Sequence, residues 1–429
     1  MGCSAPKGVF DIFPCSRTDK DQWRHSSYWI DLENVIREKS GLYGFNEIRT
    51  PVLEKTELFS SLGEWSDIIK KETYTFLDRK GRSLTLRPEG TAPVIRAFIE
   101  HKLYEKSKES KFFYILPMFR YERQQAGRYR QHHQFGAESI GVRHPYRDVE
   151  VICLLWDFYR DLGLKGLVLH INSLGNSVSV TAYNEVLKKF FQAEYDDLSS
   201  LSRERFDRGS LLRILDSKEQ EDQRIIEEAP RLLDFLDESS SIYFEKILEL
   251  LQDVGINYEI NHKLVRGLDY YTDIVFEVTA PLKSAQNAIG GGGRYDGLVS
   301  KLSGPDLPSC GFGTGLERVI QTLMDQNYLS PKASSLLKIL PLGEEFESFC
   351  FELVRELRDT GIVTDIDLTR RDLKIMLRSA AAEGIGYVIA VGETELRDDK
   401  FILKDMNRRT ETYVSRCELK ERLLAKYEI

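Results

Sequence analysis

Arg266-Gly267-Leu268-Asp269-Tyr270-Tyr271-Thr272, followed by Gly290-Gly291-Gly292-Gly293-Arg294-Tyr295-Asp296-Gly297-Leu298, decides more than any other part of this 429-residue chain. Glycines in such a run let a backbone come against a ligand where any Cβ would clash. The arginine offers a planar, permanently charged fork for carboxylate or phosphate, and the tyrosines offer flat walls with polar tips. Together the two segments describe a pocket for a small anionic ligand that carries a polar ring or an amide.

On the C-terminal side, Gly311-Phe312-Gly313-Thr314-Gly315-Leu316-Glu317-Arg318 reads as a glycine-rich strand feeding a helix within residues 310–325, with Leu316, Val319, Ile320 and Leu323 on one face. A Rossmann reading fails, because the third glycine is misplaced and no βαβ unit with an acidic residue follows. On the N-terminal side, residues 112–122 and 132–141 read as strands joined by a polar loop, Arg123 to Gln131. Period-two alternation puts His132, Gln134, Gly136 and Glu138 on one face of the second strand, while Arg120 and Glu122 share a face of the first. Paired as a hairpin, the strands bring an arginine, two carboxylates and an amide to one surface. Pattern alone also fits a polar face washed by solvent.

Further out, a strand over 83–87 ends in Arg87-Pro88-Glu89-Gly90-Thr91 and gives way to a helix reaching about residue 104. Residues 16–40 read as a helix capped by Thr18 or Asp19, with Trp29, Leu32, Val35 and Ile36 as its stripe. Asn46 to Leu53 reads as a strand held to an edge or boundary by Pro51. From 174 to 257 charge density rises, glycine becomes rare and helical spacing dominates, which marks a helical insertion. Strand texture returns over 274–279. After a linker around Ser330-Pro331, strands over 336–342, 362–366 and 387–391 alternate with helices over 345–359 and 371–383. Further strands follow at 400–404 and 411–415. Such alternation argues for a separate α/β domain, 334–429, with a largely parallel sheet.

Taken in order, three of these units resemble the motifs of class II aminoacyl-tRNA synthetases. They are the long helix with its Pro-bearing strand, then Phe119-Arg120-Tyr121-Glu122 with Gly127-Arg128-Tyr129-Arg130, then Gly311 to Arg318. The two opening segments resemble the signature motifs of the histidyl-tRNA synthetase family. Pro6-Lys7-Gly8 with Asp11 and Pro14, Asn172-Ser173-Leu174-Gly175, Leu212-Arg213-Ile214-Leu215-Asp216 and the Asp367 to Arg378 stretch also resemble it, so the resemblance covers nearly the whole chain. It implies an α+β catalytic domain, 1–173 and 258–328, with an antiparallel sheet flanked by helices, followed by an α/β anticodon-binding domain. It further implies a homodimer built on the first motif, ATP with Mg²⁺, and L-histidine and tRNA(His) as partners.

The same resemblance assigns roles. Arg120 grips the α-phosphate and the substrate carboxylate, with Arg266 on the other side where related enzymes place a metal. Arg128 and Arg318 hold the γ-phosphate of a bent ATP, and Glu122 belongs to the nucleotide site. Glu89, Gly90 and Thr91, with Gln134, hold the α-ammonium. Glu138 and Tyr271 bracket the imidazole nitrogens between Tyr270 and Tyr295. His132 stands where the family usually has an adenine-stacking Phe, and Gln124 where a Pro is common. Arg123 and Gln125 are candidates for reading the acceptor end of the tRNA, and Glu317 is a candidate metal contact.

The bulk numbers admit this reading without announcing it. A net charge of −8 gives no global basic field, and residues 334–429 carry 16 Lys plus Arg against 19 Asp plus Glu, net −3. Local patches make phosphate contacts even so. Arg370, Lys374 and Arg378 recur every four residues, with Arg371 beside them, and are the candidates; a plain solvated face has the same spacing. None of the six cysteines forms a CxxC pair, which fits reduced thiols in a cytoplasm. No apolar leader and no run of membrane-spanning length are present, so a soluble cytoplasmic protein is expected. Two other readings compete. Regulatory paralogues of a phosphoribosyltransferase keep this fold, but typically lack the C-terminal domain and have eroded signature motifs. A class II synthetase for Pro, Gly or Thr would have little use for Glu138 with the Arg266–Tyr271 segment.

Overall fold

Two ten-residue strands, β5 (Ser110–Phe119) and β6 (Gln131–Ile140), pair antiparallel without a slip from Ser110↔Ile140 to Phe119↔Gln131. A computed structural model describes residues 4–14, 19–60, 72–122, 128–266, 270–281, 287–326 and 334–425. The chain forms two units, Met1–Leu329 and Ser330–Ile429.

In the first unit, β1 (Asn46–Glu47), β5, β6, β7 (Val168–Ser173), β8 (Tyr258–Ile260), β9 (Thr272–Thr279), β10 (Ala288–Arg294) and β11 (Ser309–Gly315) form one sheet in the order β1-β5-β6-β11-β10-β9-β7-β8. Its pairings are antiparallel except at the two edges, β1 with β5 and β7 with β8. The short β2 (Leu53–Lys55), β3 (Tyr74–Leu77) and β4 (Ser83–Leu86) make a separate sheet in the order β2-β4-β3. The segment expected as one strand from 46 to 53 is therefore split around Pro51, whose missing N–H cannot join a ladder.

The alternation along β6 decides which face carries the site. Phe135 and Ala137 enter the main core, where the helices Ser26–Leu42, Pro145–Asp161, Glu238–Asp253 and Leu316–Asp325 supply Trp29, Leu32, Phe158, Ile247, Leu251 and Val319. Gln134, Gly136 and Glu138 point the other way, toward the helix Thr91–Glu100. The helix expected over 16–40 begins only at Ser26, capped by the His25 side chain accepting from Ser27 N at 3.3 Å. Residues Asp19–Arg24 form a 3₁₀ turn instead. Tertiary packing overrides the local pattern there, because Trp23 is buried against Phe10 and Tyr129, and Trp29 Nε1 donates to the Trp23 carbonyl. Thr18 lies outside the described residues.

Between β7 and β8, the helices Ser177–Ala193, Ser200–Asp207 and Gln220–Glu227 close a small core around Tyr183, Leu187, Phe191, Ile214 and Ile226. Helix Glu238–Asp253, though contiguous with them in sequence, packs Phe244, Ile247 and Leu251 into the main core.

The second unit holds β12 (Ser334–Pro341), β13 (Thr364–Ile366), β14 (Ile385–Val391), β15 (Lys400–Asp405) and β16 (Thr410–Ser415), ordered β13-β12-β14-β15-β16. The first three strands are parallel and the last two antiparallel, so the sheet is mixed rather than largely parallel. Helices Glu347–Asp359 and Arg416–Leu424 cover one face and Leu373–Ala382 the other. Among the described residues no helix is long and apolar enough to cross a membrane.

Candidate active site

The polar face of β6 opens on a cavity of about 370 Å³, within the range of small-molecule sites. Its lining joins β6, β9, β10 and β11 to the start of helix Thr91–Glu100 and to Arg120, Glu122, Arg128, Arg266, Tyr270 and Tyr271.

One end is built around carboxylates and phenols. Glu89 accepts from the Thr91 and Ala92 backbone N–H groups at 2.7 and 2.8 Å, which caps the helix where its donors are unpaired. Burial still raises its carboxyl above the usual range, against these bonds and Arg120. Glu138 is fully buried and accepts from Thr91 Oγ1 at 2.7 Å, from Tyr114 OH at 3.3 Å and from the Tyr295 hydroxyl. Burial pushes its carboxyl up to about 8, with those donors opposing and Glu89 reinforcing. Glycines make this burial fit. A Cβ at Gly311, opposite Glu138 in the β6–β11 register, would sit 2.0 Å from Glu138 Oε2. Tyr270, Tyr271 and Tyr295 stand together, with ring centroids 4.9, 5.7 and 6.4 Å apart.

The other end is cationic, and each arginine is aimed by an acceptor. Arg120 Nε donates to the Pro88 carbonyl at 2.7 Å and Arg318 Nη1 to the Ala288 carbonyl at 2.7 Å. Arg266 Nη1 donates to Glu277 Oε2 at 2.9 Å, while Arg128 Nε and Arg120 Nη1 lie 3.5 and 3.8 Å from Glu122. Burial, and then repulsion from Arg128, push Arg318 below its ordinary value against the pull of Glu122 and Glu277. His132 is driven down to about 3 by burial and by Arg120, His133 and Arg318, so its imidazole is uncharged at neutral pH. Arg120 and Arg266 line the same cavity as both sets, Arg120 acting on Glu89 and His132 and Arg266 on Tyr271 and Glu277, so these two arginines stand where the ends meet.

Most of the residues named from sequence converge here. Glu89, Thr91, Arg120, Glu122, Arg128, His132, Gln134, Arg266, Tyr270, Tyr271, Glu317 and Arg318 all line the cavity. Gly90, Glu138 and Tyr295 are not among the lining residues; all three are buried beside it. Glu317, in the first turn of its helix, is held by the His133 backbone N–H at 2.8 Å and ring Nδ1 at 3.0 Å. Sequence reading missed Glu277, although a lone carboxylate in Ile274-Val275-Phe276-Glu277-Val278 was a signal. It also missed Tyr114, fully buried across from Gly136, where a Cβ would lie 2.3 Å from the ring.

The candidates for tRNA contact fare differently. Arg123 and Gln125 lie outside the described residues. Helix Leu373–Ala382 starts after Arg370, which has φ +53° and grips Glu347 and Glu344 at 2.8 and 3.0 Å. Arg370 is thus off the helix face and already ion-paired, a correction to the four-residue spacing argument. Arg371 donates to Thr369 Oγ1 at 2.8 Å, whereas Lys374 and Arg378 share the exposed side of the helix.

The chain is similar to known proteins over nearly its whole length. The family model "Histidyl-tRNA synthetase" matches residues 28–319 and an anticodon binding domain model matches residues 337–426. Histidine–tRNA ligase of Chlamydia felis is 53% identical over 429 residues, covering 100% of this chain and 99% of that protein. The Chlamydia trachomatis serovar L2 protein of the same name is 51% identical over the same spans. The crystal structure of apo S. aureus histidyl-tRNA synthetase superposes with a TM-score of 0.80 at 34% identity, covering 98% of this chain and 100% of that one.

Proposed function

This chain belongs to the histidyl-tRNA synthetase family, and from that premise we propose how its residues divide the reaction. The chain activates L-histidine with ATP and charges tRNA(His). We assign the chemistry to residues 1–173 and 258–328 and tRNA reading to 334–429, with 174–257 as the insertion between them.

The observation that carries the assignment is the junction of the two ends at Arg120 and Arg266. A histidine carboxylate oxygen attacks the α-phosphorus of ATP, the bond to the β-phosphate oxygen breaks, and pyrophosphate leaves. Both reactants are anions, so the chemistry needs positioning and charge neutralisation more than covalent help. Arg120 and Arg266 hold carboxylate and α-phosphate together, with Glu277 keeping the Arg266 fork pointed into the cavity. Arg128 and Arg318 take the outgoing phosphates, and neutral His132 offers its ring to adenine. The α-ammonium lies against Glu89, Thr91 and Gln134. The imidazole reaches Glu138 and Tyr271 between Tyr270 and Tyr295, and apolar isosteres are rejected because those polar groups would be left unpaired.

Mg²⁺ fits the nucleotide end. Glu122 Oε2 is buried and makes no hydrogen bond among the described residues, with Arg128 Nε 3.5 Å away as its ion-pair partner, and Glu317 lines the same cavity. An ion bound mainly by substrate phosphates needs only one or two such carboxylates, and among the described residues no cluster of three metal-ligating groups occurs. Held there, Mg²⁺ would neutralise phosphate charge. A cytoplasmic homodimer completes the proposal.

The test is histidine-dependent ATP–pyrophosphate exchange, screened over all twenty amino acids and followed by tRNA(His) charging. Exchange with histidine alone is expected. Exchange with another amino acid, or none with histidine, overturns the assignment.

A further inference from the structure

Outside the cavity lies a group of buried and partly buried charges that the chemistry above does not use. Arg294, fully buried at the end of β10, donates to Asp148 Oδ1 at 2.7 Å and to Asp296 Oδ1 at 3.0 Å. Asp148, itself buried, also accepts from the Tyr243 hydroxyl on helix Glu238–Asp253. Arg143 lies over the Tyr243 ring, 4.8 Å from its centroid, and reaches Asp273 Oδ2 at 3.0 Å and Asp296 Oδ2 at 3.3 Å. The Asp296 backbone N–H donates to Thr272 Oγ1 at 3.2 Å, and the Asp296 carboxylate accepts from the Ser309 N–H at 2.9 Å.

A strut that only held the fold together could have been apolar, since a buried ion pair seldom outdoes packed hydrocarbon. What charges supply is direction, and their placement says to what end. Tyr295 lies between Arg294 and Asp296 in sequence, and both are fixed in the network. Tyr271 directly precedes Thr272 and Asp273, which the same network holds; Asp273 keeps a φ of +47° there. Tyr295 in turn donates to Glu138. We infer that the Asp148–Arg294–Asp296–Arg143 network is a positioning device for histidine recognition, setting the Tyr295 and Tyr271 rings against Glu138 without touching substrate. The inference rests on the reading that Glu138 and Tyr271 receive the imidazole.

The experiment is pyrophosphate exchange on the full chain with Arg294→Lys, Asp296→Asn and Arg143→Gln, each alone and combined with Glu138→Gln, resolving histidine KM, ATP KM and kcat. Each single change is expected to raise the histidine KM roughly tenfold and to leave the ATP KM within about twofold, and to add little in a Glu138→Gln background, because coupled residues are not additive. Equal rises in both KM values, or additive effects with Glu138→Gln, would mean the network serves the fold alone and would overturn the inference. If Glu138→Gln itself leaves the histidine KM unmoved, the site reading fails and the inference falls with it. Should Arg294→Lys not fold, Arg143→Gln carries the test, because Arg143 is partly exposed and its loss leaves the buried Arg294–Asp148 pair intact.

Discussion

The arginines of the catalytic unit and the basic residues of the C-terminal unit carry the same charge in opposite surroundings. Arg120, Arg266 and Arg318 are largely sheltered and aimed into one cavity by a carbonyl, a carboxylate and a second carbonyl. Arg370 is exposed and spends its fork on Glu344 and Glu347, while Lys374 and Arg378 stand in solvent on a helix. Sheltered charge fixed in advance acts where transition-state charge appears and is little screened; exposed charge contributes to encounter and is strongly screened by salt. The two sets should respond differently to the same kind of substitution.

The largest effect is expected at Arg266. Changing it to His should slow adenylate formation by about 10²–10³-fold while the ATP KM changes little, as for a group acting mainly in the transition state. Near-normal single-turnover rates would place Arg266 with the exposed set.

Glu138 sharpens the contrast from the acidic side. Glu138→Gln should raise the histidine KM about tenfold to a hundredfold, since the recognition site loses the carboxyl matched to the substrate's ring. It should also change stability with pH. The folded chain holds a proton on Glu138 up to about 8, against an ordinary value of 4.5, so that stabilisation is full below the ordinary value and is lost as pH rises through 8. The slope is at most about 1.4 kcal/mol per pH unit. His132, depressed from 6.5 to about 3, works in the opposite sense below 6.5 and drops out above it. Urea unfolding from pH 6.5 to 8 should therefore show a fall in stability that Glu138→Gln flattens. Parallel profiles for the two proteins would remove the buried proton.

The smallest effect belongs to the surface. Lys374→Ala with Arg378→Ala should weaken tRNA(His) binding a few-fold and reduce the slope of log K against log salt by about one per residue removed. Pyrophosphate exchange should stay as it was. Arg370→Ala should change less still, because an exposed ion pair contributes only about 0–1 kcal/mol and the arginine is already occupied. An unchanged salt slope in the double variant would make that helix face a solvated one.

The parts legible in the sequence were those with a local signature. Alternation along β6 placed His132, Gln134 and Glu138 on one face, and the glycine-to-helix step at Gly315–Leu316 was visible from periodicity. The glycine run was read as a place of close approach and is also a strand, because its neighbours β9 and β11 supply the ladder that glycine itself does not favour. Residues 19–24 kept helical spacing yet formed a 3₁₀ turn, since burying Trp23 against Phe10 outweighed propensity. Arg370 kept the four-residue spacing but fell before the helix began, at a positive φ that local periodicity does not report.

Sequence by itself, through the resemblance of its motifs to a known family, determined their order and the residue types of the pocket, and short-range spacing determined the presence of a second α/β unit. Only the tertiary structure decided that Glu138 and Tyr295 are buried against each other, that Glu277 aims Arg266, and that Arg294 finds Asp148, 146 residues away. Those outcomes depend on which strands become neighbours and what they exclude from water. Burial and pairing across a sheet are properties of the assembled layers, and no window of sequence contains them.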